Sequence, residues 1–202
     1  MIDIDSSHFV GKGLHRVCYV HPRNKNYCIK VVVSGNYKEF QREQKYYRFL
    51  ESRNISWEML SKFYGVIETN LGQGAVFDLI RDYDGCISRT LEYYLTTAEK
   101  TESHYPGLSR AICILKNYLC QQEIITMTLK AKNILFKKMD DKEGRLIIVD
   151  NIGNSDLIPI CNYSAYFSRK KILRKWARFE SSLLSAYPYN KALHRMVSNG
   201  LC

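Results

Sequence analysis

A lysine in the middle of an apolar run constrains this sequence more than any other feature. Residues 27–33 read Tyr-Cys-Ile-Lys-Val-Val-Val, and the β-branched and aromatic side chains of this run favour a strand. A lysine buried in such a strand needs a partner or an anionic ligand, because an uncompensated charge is costly away from water. Lys30 therefore predicts either a binding site or a solvent-facing strand edge along which its aliphatic stem lies.

The segments around this strand predict a small β-rich unit that ends near Arg81. Residues 17–20 form a second strand of similar composition, and residues 21–26 contain a proline and two asparagines, as a turn should. Two further strands are predicted at residues 63–68 and 74–80.

A helix should follow the first pair of strands. Apolar residues recur at helical spacing and share their face with Glu43: Phe40, Tyr47 and Leu50. Asn36 and Glu39 have the spacing of a capping box at the start of this helix. Glu43 is the expected partner of Lys30, and Glu39, one turn earlier, is the alternative.

The rest of the chain is predicted to be mainly helical. Two amphipathic helices are marked by apolar residues at helical spacing: Leu108, Ile112, Leu115 and Leu119, then Ile172, Trp176, Phe179 and Leu183. A shorter helix is predicted at residues 91–98, and a hairpin joins residues 134–136 to 146–149. The sequence therefore predicts an α+β fold, β-rich over about residues 1–81 and mainly helical over about residues 82–202.

The 202-residue chain is basic, with a net charge of +10 from 30 Lys and Arg against 20 Asp and Glu. This excess favours a polyanionic partner such as nucleotide, nucleic acid or anionic lipid. The late helix carries six of the cations: Arg169, Lys170, Lys171, Arg174, Lys175 and Arg178. Nearby aromatic residues could stack on bases, although their spacing fits a helix core better: Tyr163, Tyr166, Phe167 and Trp176. Nucleic acid is therefore the less favoured partner.

The seven cysteines include no CxxC pair and no spacing typical of a zinc site. The first residues show no export signal, and the longest apolar runs are too short for a membrane span. The expectation is a cytoplasmic protein with reduced thiols and no membrane span.

A pair of glycines precedes the first strand. Gly11 and Gly13 lack a Cβ, so the backbone N–H groups beside them can approach a phosphate closely. Most such pairs are plain turns. The third glycine of the fuller phosphate-binding pattern is replaced by Arg16, which has a claim on phosphate of its own because its guanidinium suits that group.

Two oxygen-bearing residues stand next to apolar strands in the second half. Asn133 directly precedes one strand, and Asp150 ends another and is followed by a glycine three residues later. Carboxylate and amide oxygens in such places are good ligands for a divalent cation. The alternative for each is a structural role in a turn.

The order of these features resembles the protein-kinase superfamily: Gly11 and Gly13, Lys30, Glu43, Asn133 and Asp150. Five stretches resemble the bacterial YrbL family of PhoP regulatory network proteins more specifically: GKGLHRVCYVHPRNKNYCIKVV, REQKYYRFL, DYDG, TMTLKAKNIL and VDNIGNSDLIPI. The similarity extends from about Gly11 to about Trp176. It implies a bacterial cytoplasmic protein, and it says little about a substrate.

The resemblance implies a single domain with a minimal two-lobed protein-kinase-like fold and ATP and Mg²⁺ in the cleft between its lobes. By this likeness the glycine pair would cover the phosphates, Lys30 would hold the α- and β-phosphates, and Glu43 would orient Lys30. Asn133 and Asp150 would bind Mg²⁺. The lobes would divide near Arg81.

The same likeness assigns residues 77–81 to an interlobe hinge whose backbone meets adenine. Asp78 and Ile80 are the candidate contacts there, and a capping or turn role is the alternative for Asp78. Lys130 matches a lysine that contacts the transferred phosphate in many kinases.

One departure from the kinase pattern bears directly on catalysis. Thr128 stands where kinases have the aspartate that acts as catalytic base, and a threonine hydroxyl is a poor base at neutral pH. No Ala-Pro-Glu motif or long activation segment follows residue 153. The prediction is an atypical phosphotransferase of unknown acceptor, and the alternative is a pseudokinase that regulates a protein partner.

Overall fold

The computed structural model describes residues 1–34, 37–153, 161 and 164–198 of the chain. Its N-terminal part is an antiparallel sheet of five strands in the order β1-β2-β3-β5-β4. The strands are Phe9–Lys12 (β1), Arg16–Val20 (β2), Tyr27–Val32 (β3), Phe63–Thr69 (β4) and Gly72–Asp78 (β5). One helix, Tyr37–Ser52 (α1), covers the inner face of this sheet.

The central position of β3 explains why Lys30 is buried. Strands β2 and β5 flank β3 on both sides, so the solvent-facing edge considered for Lys30 is wrong. Ile29 and Val31 pack on the outer face in a small apolar cluster, whereas Cys28 belongs to the main core on the inner face. Because side chains alternate along a strand, Lys30 shares the inner face with Cys28.

The C-terminal part is mainly helical and carries a second sheet, with the order β6-β7-β8. Its helices are Leu91–Leu95 (α2), Ala98–Ser103 (α3), Tyr105–Gln121 (α4), Ala165–Ala186 (α5) and Lys191–Ser198 (α6). Its strands are Arg89–Thr90 (β6), Ile134–Lys138 (β7) and Gly144–Ile148 (β8). The predicted α+β class, the late hairpin and both amphipathic helices are confirmed. Among the described helices, none has the length and apolarity that crossing a membrane requires.

Several boundaries differ from the sequence-based predictions. The helix predicted over residues 91–98 ends at Leu95, because Thr97 caps a separate helix by accepting a hydrogen bond from the Lys100 amide at 3.3 Å. The short elements β1, β6, α3 and α6 were not predicted. The strand predicted to reach Ile80 ends at Asp78.

One apolar core runs from the inner face of the first sheet into the helical part. It joins the predicted face of α1 to residues of α4, the β7–β8 hairpin and α5. The predicted core positions of both α1 and α5 are buried: Phe40, Tyr47, Leu50, Ile172, Trp176, Phe179 and Leu183. This shared core fixes the end of β8 against the first sheet.

The basic helix α5 exposes some aromatic residues that its spacing assigned to the core. Tyr166 is 68% and Phe167 50% exposed, and only Trp176 of the described aromatics in that group is buried. Lys171 was expected on the exposed basic side and is buried instead. Tyr163, Asn36 and the Glu39 side chain lie outside the described residues. The six cysteines of the described part are free thiols.

Gly144 occupies a position with no space for a side chain. A Cβ there would contact the buried ring of Phe136 and would lie 2.9 Å from the Lys137 carbonyl oxygen. Gly144→Ala should therefore lower the free energy of unfolding by about 1–3 kcal/mol, measured by urea denaturation. Gly11→Ala is the matched control, because a Cβ at Gly11 meets nothing within 4 Å. Equal losses in the two variants would contradict this prediction.

Candidate functional site

Lys30 links the inner face of the first sheet to the C-terminal part. Its side chain is buried, and Nζ donates a hydrogen bond to the carbonyl oxygen of Val149, the residue before Asp150. The same Nζ lies 4.4 Å from the centroid of the Phe77 ring. The structure therefore brings Lys30 and the Asp150 segment together, although they lie far apart in sequence.

Glu43 is buried on α1 and pairs with Arg16, whose Nη1 donates to Glu43 Oε2. The second carboxylate oxygen, Oε1, has no hydrogen-bond partner among the described residues, and neither does the hydroxyl of Tyr47 one turn later. The expected ion pair between Lys30 and Glu43 is absent from the described residues. Arg16 takes that place in this conformation.

Asp150 is the second carboxylate that Arg16 contacts. Arg16 Nη2 donates to Asp150 Oδ1, which also accepts from the Asn151 amide at 2.8 Å. A single guanidinium thus bridges two carboxylates, one from α1 and one from the end of the β7–β8 hairpin. With Lys30 beside them, the cluster holds two cations and two carboxylates and is formally neutral.

The protonation properties of this cluster follow from burial and from its internal charges. Burial raises the pKa of Glu43, and the attraction of Arg16 only partly offsets that effect. Burial alone would also raise the pKa of Asp150, but Lys30, Arg16 and the Asn151 amide outweigh it and lower that pKa. Burial raises the pKa of the Tyr47 hydroxyl as well, which keeps it protonated.

The loop that carries Thr128, Lys130 and Asn133 lies beside Asp150. The Met127 amide donates to the Asn151 carbonyl at 2.8 Å, and the Val149 amide donates to the Asn133 carbonyl at 3.0 Å. These bonds place the two segments side by side at the end of β8. Thr128 and Lys130 are exposed, and Asn133 is half-buried.

Helix α5 supports this loop through a contact that the sequence gave no reason to expect. Lys175 Nζ donates to the carbonyl oxygen of Met127, directly before Thr128. A lysine within a run of basic residues is ordinarily assigned to a solvated face. Only the tertiary structure identifies Lys175 as a contact of the loop.

The glycine pair lies in the hairpin that joins β1 to β2. The Gly13 amide donates to the Arg16 carbonyl at 2.8 Å and closes the turn. Arg16 opens β2, so the same hairpin that presents the glycines also positions its guanidinium. In the sequence, Arg16 replaces the third glycine of the pattern, and its guanidinium suits phosphate. The sequence did not predict that Arg16 would contact two carboxylates.

The two candidate hinge residues, Asp78 and Ile80, differ in whether they keep a polar group without a hydrogen-bond partner among the described residues. Both carboxylate oxygens of Asp78 are used within the sheet, where they accept from the Lys62 amide at 2.8 Å and the Tyr64 hydroxyl at 2.9 Å. The Ile80 carbonyl accepts from the Ser88 amide at 3.0 Å. The Ile80 amide donates to no described residue, which leaves one backbone donor at this position.

Asp150 and Asn133 are the two residues that the sequence predicts as magnesium ligands. The described residues contain no group of three or more His, Cys, Asp or Glu side chains placed to hold a metal ion. Mg²⁺ commonly takes one or two carboxylates and completes its shell with water and substrate phosphate oxygens. Asp150 and Asn133, whose segments are joined by the Val149–Asn133 backbone bond, would supply a carboxylate and an amide oxygen of that kind.

These observations define an α+β protein with a buried charged cluster at the junction of its first sheet and its helical part. The family model described as "PhoP regulatory network protein YrbL" matches residues 2–184, and the chain belongs to that family. The proteins named YrbL in Escherichia coli (strain K12) and in Shigella flexneri are each 36% identical over 204 residues. Each alignment covers 100% of this chain and 97% of the relative.

Proposed function

We propose that this protein binds a magnesium–nucleoside triphosphate, with ATP as the expected nucleotide, and acts as an atypical phosphotransferase with a kinase-like fold. The observation that carries the proposal is the contact of Lys30 with the residue before Asp150, across 119 positions of sequence. Glu43 joins them in the order and local structure that the kinase resemblance requires.

The arrangement of the first sheet supports a nucleotide site at this place. Five antiparallel strands, a covering helix and a glycine hairpin surround the inner face that carries Lys30. In this scheme the Ile80 amide would donate to the base. Gly11, where a Cβ would meet nothing within 4 Å, would leave space for the phosphates, and Gly13 lies in the same hairpin. The side chain of Asp78 serves the sheet and has no part in this binding scheme.

The chain supplies binding and charge stabilisation in the proposed reaction. A bound Mg²⁺ neutralises phosphate charge, and Asn133 and Asp150 would hold it. Lys30 would hold the phosphates, and Glu43 would orient Lys30 after a change of partner. Lys130 is exposed on the loop that lies next to the Asp150 segment, and it would contact the transferred group. Positioning and electrostatics provide most of the catalysis in phosphoryl transfer, so a threonine at position 128 is compatible with a slow reaction.

A pseudokinase is the second candidate function, and Thr128 is the observation that favours it. Thr128 is exposed and offers a hydroxyl in place of a carboxylate base. Nucleotide binding without transfer would then control a protein partner. The two candidates separate when ATP labelled at the γ-phosphate is incubated with the protein and with small hydroxyl and amine acceptors. Label on an acceptor or on the protein supports the phosphotransferase, and stable binding without transfer supports the pseudokinase.

Thermal unfolding tests the nucleotide site itself. ATP with Mg²⁺ at 100 times the dissociation constant should stabilise the protein by about 2.7 kcal/mol, which raises the melting temperature by several degrees. Lys30→Met and Asp150→Asn should each lose this shift, whereas Lys191→Met on the remote helix α6 should keep it. Absence of any shift at millimolar nucleotide, or a shift that survives both substitutions, would contradict the proposal.

A further inference from the structure

We propose that Arg16 is a phosphate-binding residue that, without nucleotide, occupies the cation position between Glu43 and Asp150. Binding of a magnesium–nucleotide would displace its guanidinium from the two carboxylates and transfer it to the phosphates. The first half of this proposal, in which Arg16 and a metal ion compete for Asp150, concerns the cluster alone. The second half, in which Arg16 binds phosphate, rests on the proposed function.

Arg16 and a metal ion at Asp150 would compete for one carboxylate. Asp150 Oδ1 accepts from Arg16 Nη2, and a divalent cation at Asp150 would need the same carboxylate. Two positive groups cannot share that position, because at short distance in a partly buried site their repulsion is strong. Arg16 and the metal ion are therefore alternative occupants of Asp150.

Glu43 needs another cation when Arg16 leaves. Glu43 Oε1 and the Tyr47 hydroxyl are buried and lack hydrogen-bond partners among the described residues. Buried polar atoms without partners are costly and indicate an arrangement that is incomplete. Lys30 shares the inner face of the sheet with the charged cluster and already contacts the residue before Asp150, so we expect its ammonium to exchange the Val149 carbonyl for Glu43 once Arg16 leaves. Glu43 then keeps a cation after Arg16 is displaced.

The position of Arg16 in the hairpin places its side chain near the glycine pair. Arg16 begins β2 directly after the turn that Gly13 closes, so its side chain emerges beside the glycine pair. A guanidinium presents paired N–H donors that match phosphate as well as carboxylate oxygens. A change of side-chain conformation within this hairpin is enough to move the guanidinium from the carboxylates to a phosphate.

Binding of Mn²⁺ without nucleotide tests the first half. Binding of Mn²⁺ is measured by the loss of the electron paramagnetic resonance signal of the free ion and by the shift in the melting temperature of the protein. Wild type should bind it weakly, whereas Arg16→Met should bind it at least about tenfold more tightly, since the competing cation is gone. Arg16→Lys should also gain affinity, because one ammonium cannot pair with both carboxylates as a guanidinium does. The double variant Arg16→Met/Asp150→Asn should lose the gain.

The matched control is Arg53→Met, because Arg53 forms an ion pair with Glu123 at 3.1 Å elsewhere in the structure. Its Mn²⁺ affinity should equal that of wild type. Equal affinity in wild type, Arg16→Met and Arg16→Lys would overturn the competition. A gain that survives Asp150→Asn would overturn the assignment of the site to Asp150.

Nucleotide affinity tests the second half. Arg16→Met removes both the competition at Asp150 and the contact to phosphate, so its affinity for Mn²⁺–ATP should stay within about threefold of wild type and should not show the gain of about tenfold expected for Mn²⁺ alone. A gain for Mn²⁺–ATP as large as the gain for Mn²⁺ would overturn the phosphate role while the nucleotide proposal stands. Failure of every variant and of wild type to bind nucleotide would overturn the proposed function and the phosphate role together, and a Mn²⁺ gain in Arg16→Met would still support the first half.

Discussion

Arg16→Met should lower the free energy of unfolding by about 3–5 kcal/mol near pH 7.5, the usual cost of leaving a buried charge without its partner. Arg16 contacts Glu43, which is 4% exposed at its side chain, and Asp150, which is 30% exposed. Methionine preserves the aliphatic stem and removes only the charge and its hydrogen bonds. Lys30 then remains as the one basic residue of the cluster and faces two carboxylates.

The pH dependence of this loss identifies its cause. Without Arg16, the pKa of Glu43 should rise further and the pKa of Asp150 should rise from its lowered value. A carboxylate whose pKa is raised in the folded state contributes stability below its unfolded pKa and loses it as the pH rises through the folded pKa. The deficit of Arg16→Met should therefore be largest at neutral pH and should shrink as the pH falls toward the unfolded value of 4.5 for Glu43.

Urea denaturation at about pH 7.5 and pH 5 measures this deficit directly. Arg110→Met is the comparison for stability, because both side chains of its ion pair with Glu143 are exposed, so its loss should stay at about 0–1 kcal/mol. A deficit of Arg16→Met that is the same at both pH values would contradict the assignment of this loss to the charges of Glu43 and Asp150.

The sequence was informative wherever chemistry and local periodicity agree. A β-branched run identified β3, a helical face of apolar residues identified α1, and the carboxylate after a buried strand identified Asp150. These features depend on near neighbours in the chain, which is why single-sequence reasoning reaches them. Lys30 was flagged for a physical reason too, since a charge in an apolar strand needs compensation.

The pairing of charges was beyond the sequence because it depends on tertiary distance. Kinase resemblance assigned Glu43 to Lys30, yet the guanidinium of Arg16 reaches Glu43 in this conformation. Lys175 donates a hydrogen bond to the Met127 carbonyl. In the sequence, nothing distinguishes this lysine from the other basic residues of the same run. The side chain of Asp78 was drawn into the sheet by Lys62 and Tyr64, which the sequence places far from it.

Within helix α5, too, the sequence alone could not tell which aromatic residues are buried. The substitution Trp176→Ala tests the burial of one of them. Helical spacing assigned Tyr166, Phe167 and Trp176 alike to the core, but only Trp176 is buried. The Trp176 ring contacts Phe179 at 5.5 Å between centroids, and its Nε1 donates to Glu180 at 2.6 Å. Trp176→Ala should therefore lower the free energy of unfolding by about 3–5 kcal/mol.

Tyr166→Ala is the matched control for this substitution, because it removes an aromatic ring from the exposed side of the same helix. Its loss should stay within about 0.5 kcal/mol, since surface substitutions away from packed contacts have small effects. Trp176→Ala should also affect the candidate site, because Trp176 packs the turn of α5 from which Lys175 donates to the Met127 carbonyl. Trp176→Ala should thus weaken any nucleotide-induced thermal shift, whereas Tyr166→Ala should preserve it. A cost below about 1 kcal/mol for Trp176→Ala would contradict the placement of this ring in the core.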